Sequence, residues 1–233
     1  MNLKNSNILL TGGSAGIGKA TAKLLIESGA NVAITGRDQA RLEGVARETG
    51  AFAIAADVAN PADIARTYDQ FLERFGRLDC LINNAGIGEF PTIEEVTLEA
   101  FQRVYAVNVF GAALMTQRAA KLFKQQNHGN IVNVASTAAL KGFAKGTIYS
   151  SSKFALRGMT ECWQQELRRH NVRVTLVNPS EVTTAFFNAD RSERAEEAKK
   201  LRGQEIAHVI KSVLELDDRG FTPEVTVWAT NPF

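Results

Sequence analysis

Two cysteines, three histidines and five prolines are spread over 233 residues, and no apolar run approaches the length of a membrane span. Cys80 and Cys162 build no disulfide framework. One falls in a strand-like run and the other in a helix-like run, so both read as small buried hydrophobes in a reducing cytoplasm. The histidines, His128, His170 and His208, form no ligand cluster, and no metal site is expected. His128 and His170 fall where helices end, positions at which the helix dipole tolerates a cation. The longest apolar stretches are far below the roughly 18–20 residues that a bilayer requires. Only a three-residue apolar run precedes the first glycines, too short for a secretory leader. An excess of one charge is also missing, with 27 basic against 25 acidic residues and a net charge of +2. No field therefore points to nucleic acid or an anionic membrane. Hydrophobic content of 45% and charged content of 22% are ordinary for a globular protein with a sizeable core. No Pro/Gly/Ser-rich linker or internal repeat divides the chain. The expectation is a cytoplasmic protein of one domain, 1–233, acting on a small molecule.

What is present is an alternation of two patterns. Short, nearly continuous apolar runs occur at 7–11, 31–35, 51–56, 78–83, 130–136, 172–178 and 224–229, with longer helical patterns between them. The first helical pattern, about 16–28, places Ile17, Ala20, Leu24 and Ser28 on one face and stops at Gly29, a favourable C-cap residue. The third begins at Asn60-Pro61, a capping side chain followed by proline at the first helical position, with Asp63 in the first turn. The fourth covers about 98–126 and the fifth about 147–170; a short one near 203–216 precedes the last run. Such alternation predicts an α/β fold: a doubly wound sheet of about seven mostly parallel strands, buried on both faces by helices. The segment 183–202 breaks the rhythm, passing from TTAFFNAD into RSERAEEAKKLR. It reads either as a solvated helical turn or as a lid at about 183–203 over a substrate pocket.

The first strand runs straight into Thr11-Gly12-Gly13-Ser14-Ala15-Gly16-Ile17-Gly18 and then a helix. Glycines there let the chain turn sharply, approach a phosphate and pack the helix on the sheet, while the helix start offers N–H groups and a positive dipole end. A glycine cluster alone marks many tight turns. In a strand–turn–helix setting it indicates a dinucleotide, with Gly12, Ser14, Gly16, Ile17 and Gly18 as candidate contacts. Farther on, Tyr149 and Lys153 are four residues apart in TIYSSSKFALRG, on one helix face with Cβ atoms roughly 5–6 Å apart. A phenol ordinarily ionises near pH ~10, and a fixed ammonium beside it favours the phenolate and makes the tyrosine a usable general acid or base. Alone, such a pair is a common solvated helix face.

Gly-x-x-x-Gly-x-Gly at 12, 16 and 18 is joined by Asn83-Asn84-Ala85-Gly86 after the fourth strand, Asn108 in VYAVNVFGA and Ser136 after NIVNVA. Tyr149-x-x-x-Lys153 follows Ser136 at an interval of thirteen residues. On these motifs the chain resembles the short-chain dehydrogenase/reductase family over nearly its whole length, in the single-domain TGxxxGxG and YxxxK branch. The resemblance implies a Rossmann-type oxidoreductase transferring hydride between a nicotinamide and a carbonyl or secondary alcohol. It implies that Ser136 orients the carbonyl oxygen, that Tyr149 gives or takes its proton, and that Lys153 lowers the phenol pKa and holds the nicotinamide ribose. Asn108 would position a water linking Lys153 to solvent. Further cofactor contacts are implied at Asn84, Ala85, Gly86, Pro179, Val182 and Thr184, and at Asp57-Val58 beside the adenine, although an aspartate there could simply cap the next turn. Family members usually form homodimers or homotetramers through the fourth and fifth long helices; VNVFGAALM with Phe154, Met159 and Trp163 fits such an interface or an intrachain core.

After the second strand, Gly36 stands where an NAD-type member carries an acidic residue and Arg37 where an NADP-type member carries arginine. A guanidinium suits a 2′-phosphate, so NADP(H) is favoured over NAD(H), although Ala15 occupies a place where many NADP members add a basic residue. Two other departures are Pro179-Ser180 in place of Pro-Gly and an ending, GFTPEVTVWATNPF, without the VDGG usual in 3-oxoacyl-carrier-protein reductases. That ending looks more like carbonyl, sepiapterin-type and 3-hydroxy-acid members. Loops at 87–95, 137–146 and 183–188 would wall the pocket with Phe90, Phe143, Phe186 and Phe187, suiting a hydrophobic ketone, aldehyde or thioester-bound chain, unless these rings merely pack the lid and core. Three readings follow. The first is an NADP(H)-dependent carbonyl reductase or alcohol dehydrogenase. The second is a 3-oxoacyl-carrier-protein reductase, with Arg168-Arg169 and Lys121/Lys124 as candidate docking cations. The third is a catalytically silent NADP(H)-binding sensor or scaffold, against which the retained Asn108, Ser136, Tyr149 and Lys153 count.

Overall fold

The computed structural model of the chain describes residues 1–187 and 194–232, and of Phe187 only the backbone. Each apolar run forms a strand: β1 (Asn7–Thr11), β2 (Asn31–Gly36), β3 (Phe52–Ala55), β4 (Cys80–Asn83), β5 (Gly129–Val134), β6 (Val172–Pro179) and β7 (Glu224–Val227). They make one seven-stranded sheet in the order β3-β2-β1-β4-β5-β6-β7. Every pairing is parallel, where the sequence pattern indicated mostly parallel strands. Parallel neighbours need crossovers, and helices supply them: α1 (Gly16–Glu27), α2 (Gln39–Thr49), α3 (Pro61–Phe75), α4 (Leu98–Tyr105), α5 (Ala112–Gln126), α6 (Thr147–Leu167) and α7 (Gly203–Glu215).

Local chemistry sets these elements. Asn60 caps α3 by accepting from the Ala62 amide at 3.0 Å, with Pro61 in the first turn. Asp38 caps α2 through the Arg41 amide at 3.0 Å, and Gly50 ends that helix in the left-handed conformation, φ 83°. Alternate residues of β1 face opposite layers. Ile8 and Leu10 pack with α1 and α7 residues such as Leu25, Ile206 and Ile210, while Leu9 packs with Phe71 of α3 and Phe123 of α5. This two-sided burial is why the strands read as continuous apolar runs rather than alternating ones.

The expected long helix at 98–126 is interrupted. Residues Ala106–Gly111 form a π-helical segment between α4 and α5. Cys80 is buried, but Cys162 is exposed on α6, contrary to the reading of both as buried. The buried stripe of α6 runs through Leu156, Thr160 and Leu167, and position 162 falls off it. Between β4, β5 and their covering helices lies a buried polar chain. Asn83 Nδ2 donates to Thr116 Oγ1 at 3.0 Å and to Asn133 Oδ1 at 2.9 Å, and Asn133 Nδ2 donates to Thr160 Oγ1 at 2.8 Å. Of the expected lid at 183–203, residues 188–193 lie outside the described residues, as does the side chain of Phe187. Its two ends are joined: Val182 bridges Leu201, and the Thr183 amide donates to the Leu201 carbonyl at 2.7 Å. Among the described residues, no helix is long and apolar enough to cross a membrane, and no His/Cys/Asp/Glu group could hold a metal ion.

Candidate active site

In the order β3-β2-β1-β4, the chain leaves the centre of the sheet toward β3 and returns at β4, so the loops after β1 and β4 part in opposite directions. A crevice forms at such a switch point beyond the carboxyl ends of the strands. Here it is a cleft of about 1340 Å³. Its floor is sewn together by side chains. Thr11 Oγ1, at the end of β1, accepts from the Asn84 and Ala85 amides at 3.0 and 3.1 Å, and Asn84 Nδ2 donates to the Thr11 and Gly12 carbonyls, both at 3.0 Å.

Gly12 takes φ +69°, and a Cβ there would stand 2.8 Å from Ala85 Cα; a Cβ on Gly18 would stand 2.2 Å from the Gly12 oxygen. Only glycine allows the turn and the helix to approach this closely. The turn opens on α1, whose N-cap residue Ala15 supplies no side-chain cap. Such a helix start suits an anion. Gly12, Ser14, Gly16, Ile17 and Gly18 all line this end of the cleft, together with Arg37, Asp57 and Val58. Asp57 also does the capping that was its plainer reading: its Oδ1 accepts from the Ala59 amide at 2.9 Å. Asn84, Ala85, Gly86, Pro179, Val182 and Thr184 line the middle.

At the other end Ser136, Tyr149 and Lys153 come together from the end of β5 and the first turns of α6. Ser136 stands near enough to the Tyr149 phenol to favour its ionised form. From its place four residues on, Lys153 was expected to lower the phenol pKa. Burial instead pushes Tyr149 up to about 12, only partly offset by the nearby Ser136 hydroxyl. Burial likewise brings Lys153 down to about 8. The Lys153 amine donates to the Val134 carbonyl at 3.1 Å and stands 5.7 Å from the centre of the Tyr149 ring. Asn108 lies beneath the cleft rather than on its wall, buried in the π-helical segment. Its Oδ1 accepts from the Ile87 amide at 2.9 Å, and its Nδ2 donates to the Ile87 carbonyl at 2.9 Å and to Ser152 Oγ at 3.0 Å. It thus ties the loop after β4 to α6.

Phe90, Phe143 and Phe186 also line the cleft. The Tyr149 ring lies 5.3 Å from Phe90 and 5.6 Å from Phe186, and Phe90 lies 6.1 Å from Phe143. Several lining residues had not been singled out as site residues, among them Arg41, Lys141 and Lys145 of the 137–146 loop, and Trp228. Trp228 had been read as part of a strand; β7 ends one residue earlier, which leaves its side chain exposed on the cleft wall.

The family profile described as short chain dehydrogenase matches residues 6–195. The sepiapterin reductase of Chlorobaculum tepidum is 35% identical over 192 residues, covering 77% of this chain and 79% of that protein. Among solved structures, a 3-ketoacyl-(acyl-carrier-protein) reductase from Brucella melitensis complexed with NADH superposes with a TM-score of 0.88 at 29% identity, covering 99% of this chain and 100% of that one. An alcohol dehydrogenase from Thermococcus sibiricus complexed with 5-hydroxy-NADP superposes with a TM-score of 0.89 at 27% identity, covering 97% of each chain. The chain belongs to the short-chain dehydrogenase family, oxidoreductases that act on alcohol or carbonyl groups with a nicotinamide cofactor.

Proposed function

We propose that this short-chain dehydrogenase interconverts an apolar carbonyl compound and its secondary alcohol with NADP(H), using Tyr149 as the proton donor and acceptor. The observation that carries the reading is the meeting of Ser136, Tyr149 and Lys153 at one end of a cleft whose other end is a glycine turn opening on a helix start. The turn at Gly12–Gly18 and the Asn84–Gly86 loop would hold the pyrophosphate and nicotinamide halves of the cofactor, and Arg37 beside Gly36 would take an adenosine 2′-phosphate. Gly86 supports this: a Cβ there would stand 3.5 Å from Lys153 Nζ, in contact with the amine, so its bareness leaves the cleft open beside the lysine. When bound, the nicotinamide supplies or accepts the hydride.

The chain's own residues do the rest. The Ser136 hydroxyl, beside the phenol, orients a carbonyl oxygen toward it. With a pKa pushed up to about 12, Tyr149 holds its proton at neutral pH and can give it to the oxygen as the carbonyl is reduced. Lys153, its charge held close to its titration point, is placed to share in that transfer and to bond ribose hydroxyls. The half-buried rings of Phe90 and Phe186 keep water from the phenol. All 233 residues act as one domain in this reading, in a cytoplasmic homo-oligomer; two unpaired thiols and the exposed Phe110 and Phe154 support it.

A screen of ketones, aldehydes and acyl thioesters with NADPH and NADH tests the activity, and Tyr149→Phe tests the mechanism. The variant should keep its affinity for the nucleotide and lose about 10²–10⁴-fold in kcat; full activity would sink the assignment. Likeness to the Brucella reductase favours one second reading, action on 3-oxoacyl chains bound to a carrier protein. It requires faster reduction of an acetoacetyl carrier than of a free ketone.

A further inference from the structure

One glycine near the reacting end of the cleft is claimed by no part of the mechanism. Gly88 follows the Asn84–Gly86 loop, and a Cβ placed on it would stand 2.7 Å from Phe90 Cζ and 3.0 Å from Phe186 Cε1. The distance to Phe90 is closer than a real Cβ adopts and that to Phe186 is tighter than most, so the two rings crowd the space that a side chain would fill. The same rings lie 5.3 and 5.6 Å from the Tyr149 ring, tilted at 56° and 60°. Phe143 stands 6.1 Å from Phe90, inclined by only 35°. The bare Cα of residue 88 is thus the surface onto which the aromatic wall of the site closes.

We infer that Gly88 sets the width of the slot beside Tyr149 and thereby selects carbonyl compounds that are flat next to the reacting carbon, such as aryl or conjugated ketones and aldehydes, over puckered or branched ones. The inference rests on the proposed carbonyl chemistry and adds the shape of its substrate. Its physical basis is twofold. Rings drawn in over Gly88 leave little depth above the phenol, which penalises a substrate thicker than a single π layer. A flat substrate instead gains offset or edge contacts with Phe90, Phe143 and Phe186. The atoms that a new Cβ would strike are the outer ends of two phenylalanine rings rather than backbone, so Gly88→Ala displaces the rings and widens the slot while the fold persists.

The matched probes are methyl phenyl ketone and methyl cyclohexyl ketone, alike in carbon skeleton and different in thickness. The wild-type enzyme should favour the phenyl compound by about 5–10-fold in kcat/KM, the range expected from one or two aromatic contacts. In Gly88→Ala the ratio should fall to near one, chiefly through a higher KM for the phenyl ketone and a lower KM for the cyclohexyl ketone. Phe186→Leu, which removes one ring without touching residue 88, should collapse the ratio in the same direction and serves if Gly88→Ala fails to fold. A wild-type ratio near one, or a ratio that neither variant moves, overturns the inference while leaving the carbonyl chemistry intact. Failure to reduce either ketone with either nucleotide, together with inactivity across the wider carbonyl screen, overturns the proposed function and this inference with it.

Discussion

Lys153 is the residue whose usefulness and whose cost are clearest. It is 4% exposed, and burial brings its pKa from 10.5 to about 8. Below pH ~8 both the folded and the unfolded chain hold the proton, and the folded state bears the full penalty of a buried cation. Between about 8 and 10.5 the folded chain has released a proton that the unfolded chain still binds, so stability from this group rises with pH. Above 10.5 neither state carries the charge. Lys153→Met should therefore be inactive yet more stable at pH 7, by on the order of 2–3 kcal/mol. Denaturant titrations should show that advantage shrinking from pH 8 to 10.5; a variant less stable than wild type at pH 7 would contradict this account. Gly36 and Arg37 carry a second prediction at this scale. A Cβ on Gly36 would meet Leu42 Cδ1 and Ser14 Oγ at 3.3 Å, tight but movable. Gly36→Asp with Arg37→Ala should lower the ratio of kcat/KM for NADPH over NADH by about 100-fold or more, as an acceptor for a ribose hydroxyl replaces a phosphate partner; an unmoved ratio refutes the 2′-phosphate role.

Among the elements, the π-helical segment at Ala106–Gly111 is the one that sequence periodicity could not reveal. One widened turn barely alters the apolar pattern of a 29-residue stretch read as a single helix from 98 to 126. It does alter where Asn108 points, and such segments gather at functional sites. The Asn108 amide meets both polar groups of Ile87 and the hydroxyl of Ser152, which itself donates to the Tyr149 carbonyl at 2.7 Å. Asn108→Ala strands the Ile87 amide and carbonyl and should lower stability by about 2–4 kcal/mol, read as a fall in the denaturant midpoint. Asn108→Asp should recover less than half of that, since a carboxylate cannot donate to Ile87 or Ser152; full recovery would argue against the hydrogen bonds. The strands were legible because burial on both faces leaves an unbroken apolar run, as in NILLT and VRVTLVN. The placement of Ser136 and Tyr149 in one cleft was legible through the resemblance of their motifs, and of the interval between them, to those of the family. Cys162 was misread because a helix that lines a core still has an outer side, and composition does not show which. The aromatic wall of Phe90, Phe143 and Phe186 was legible as three loops near the motifs, but its closing on Gly88 was not, since residues far apart in sequence make that contact.

For the whole molecule, the exposed rings have an arrangement of their own. Phe110, on the π-helical segment, is 58% exposed, and Phe154, on α6, is 43% exposed, while Met159 and Trp163 pack into the protein's own core. The proposed self-association should therefore depend on the first two and not on the second. Phe110→Glu with Phe154→Glu should convert a dimer or tetramer to monomer in light scattering, with the thermal midpoint falling as the assembly separates; an unchanged mass would place the interface elsewhere. The buried amides between β4 and β5 have a consequence for how such a sheet assembles at all. Asn83 and Asn133 are direct partners across the two strands, and each also reaches a threonine on a covering helix, Thr116 or Thr160. Aliphatic strands of similar composition could align in several ways at nearly equal hydrophobic gain. A slip of either strand by one residue would turn its asparagine into the opposite layer, parting Asn83 from Asn133 and leaving that amide and its threonine partner stranded in hydrocarbon. The four side chains thus single out one alignment of the two strands: only the native pairing leaves all four of them hydrogen-bonded.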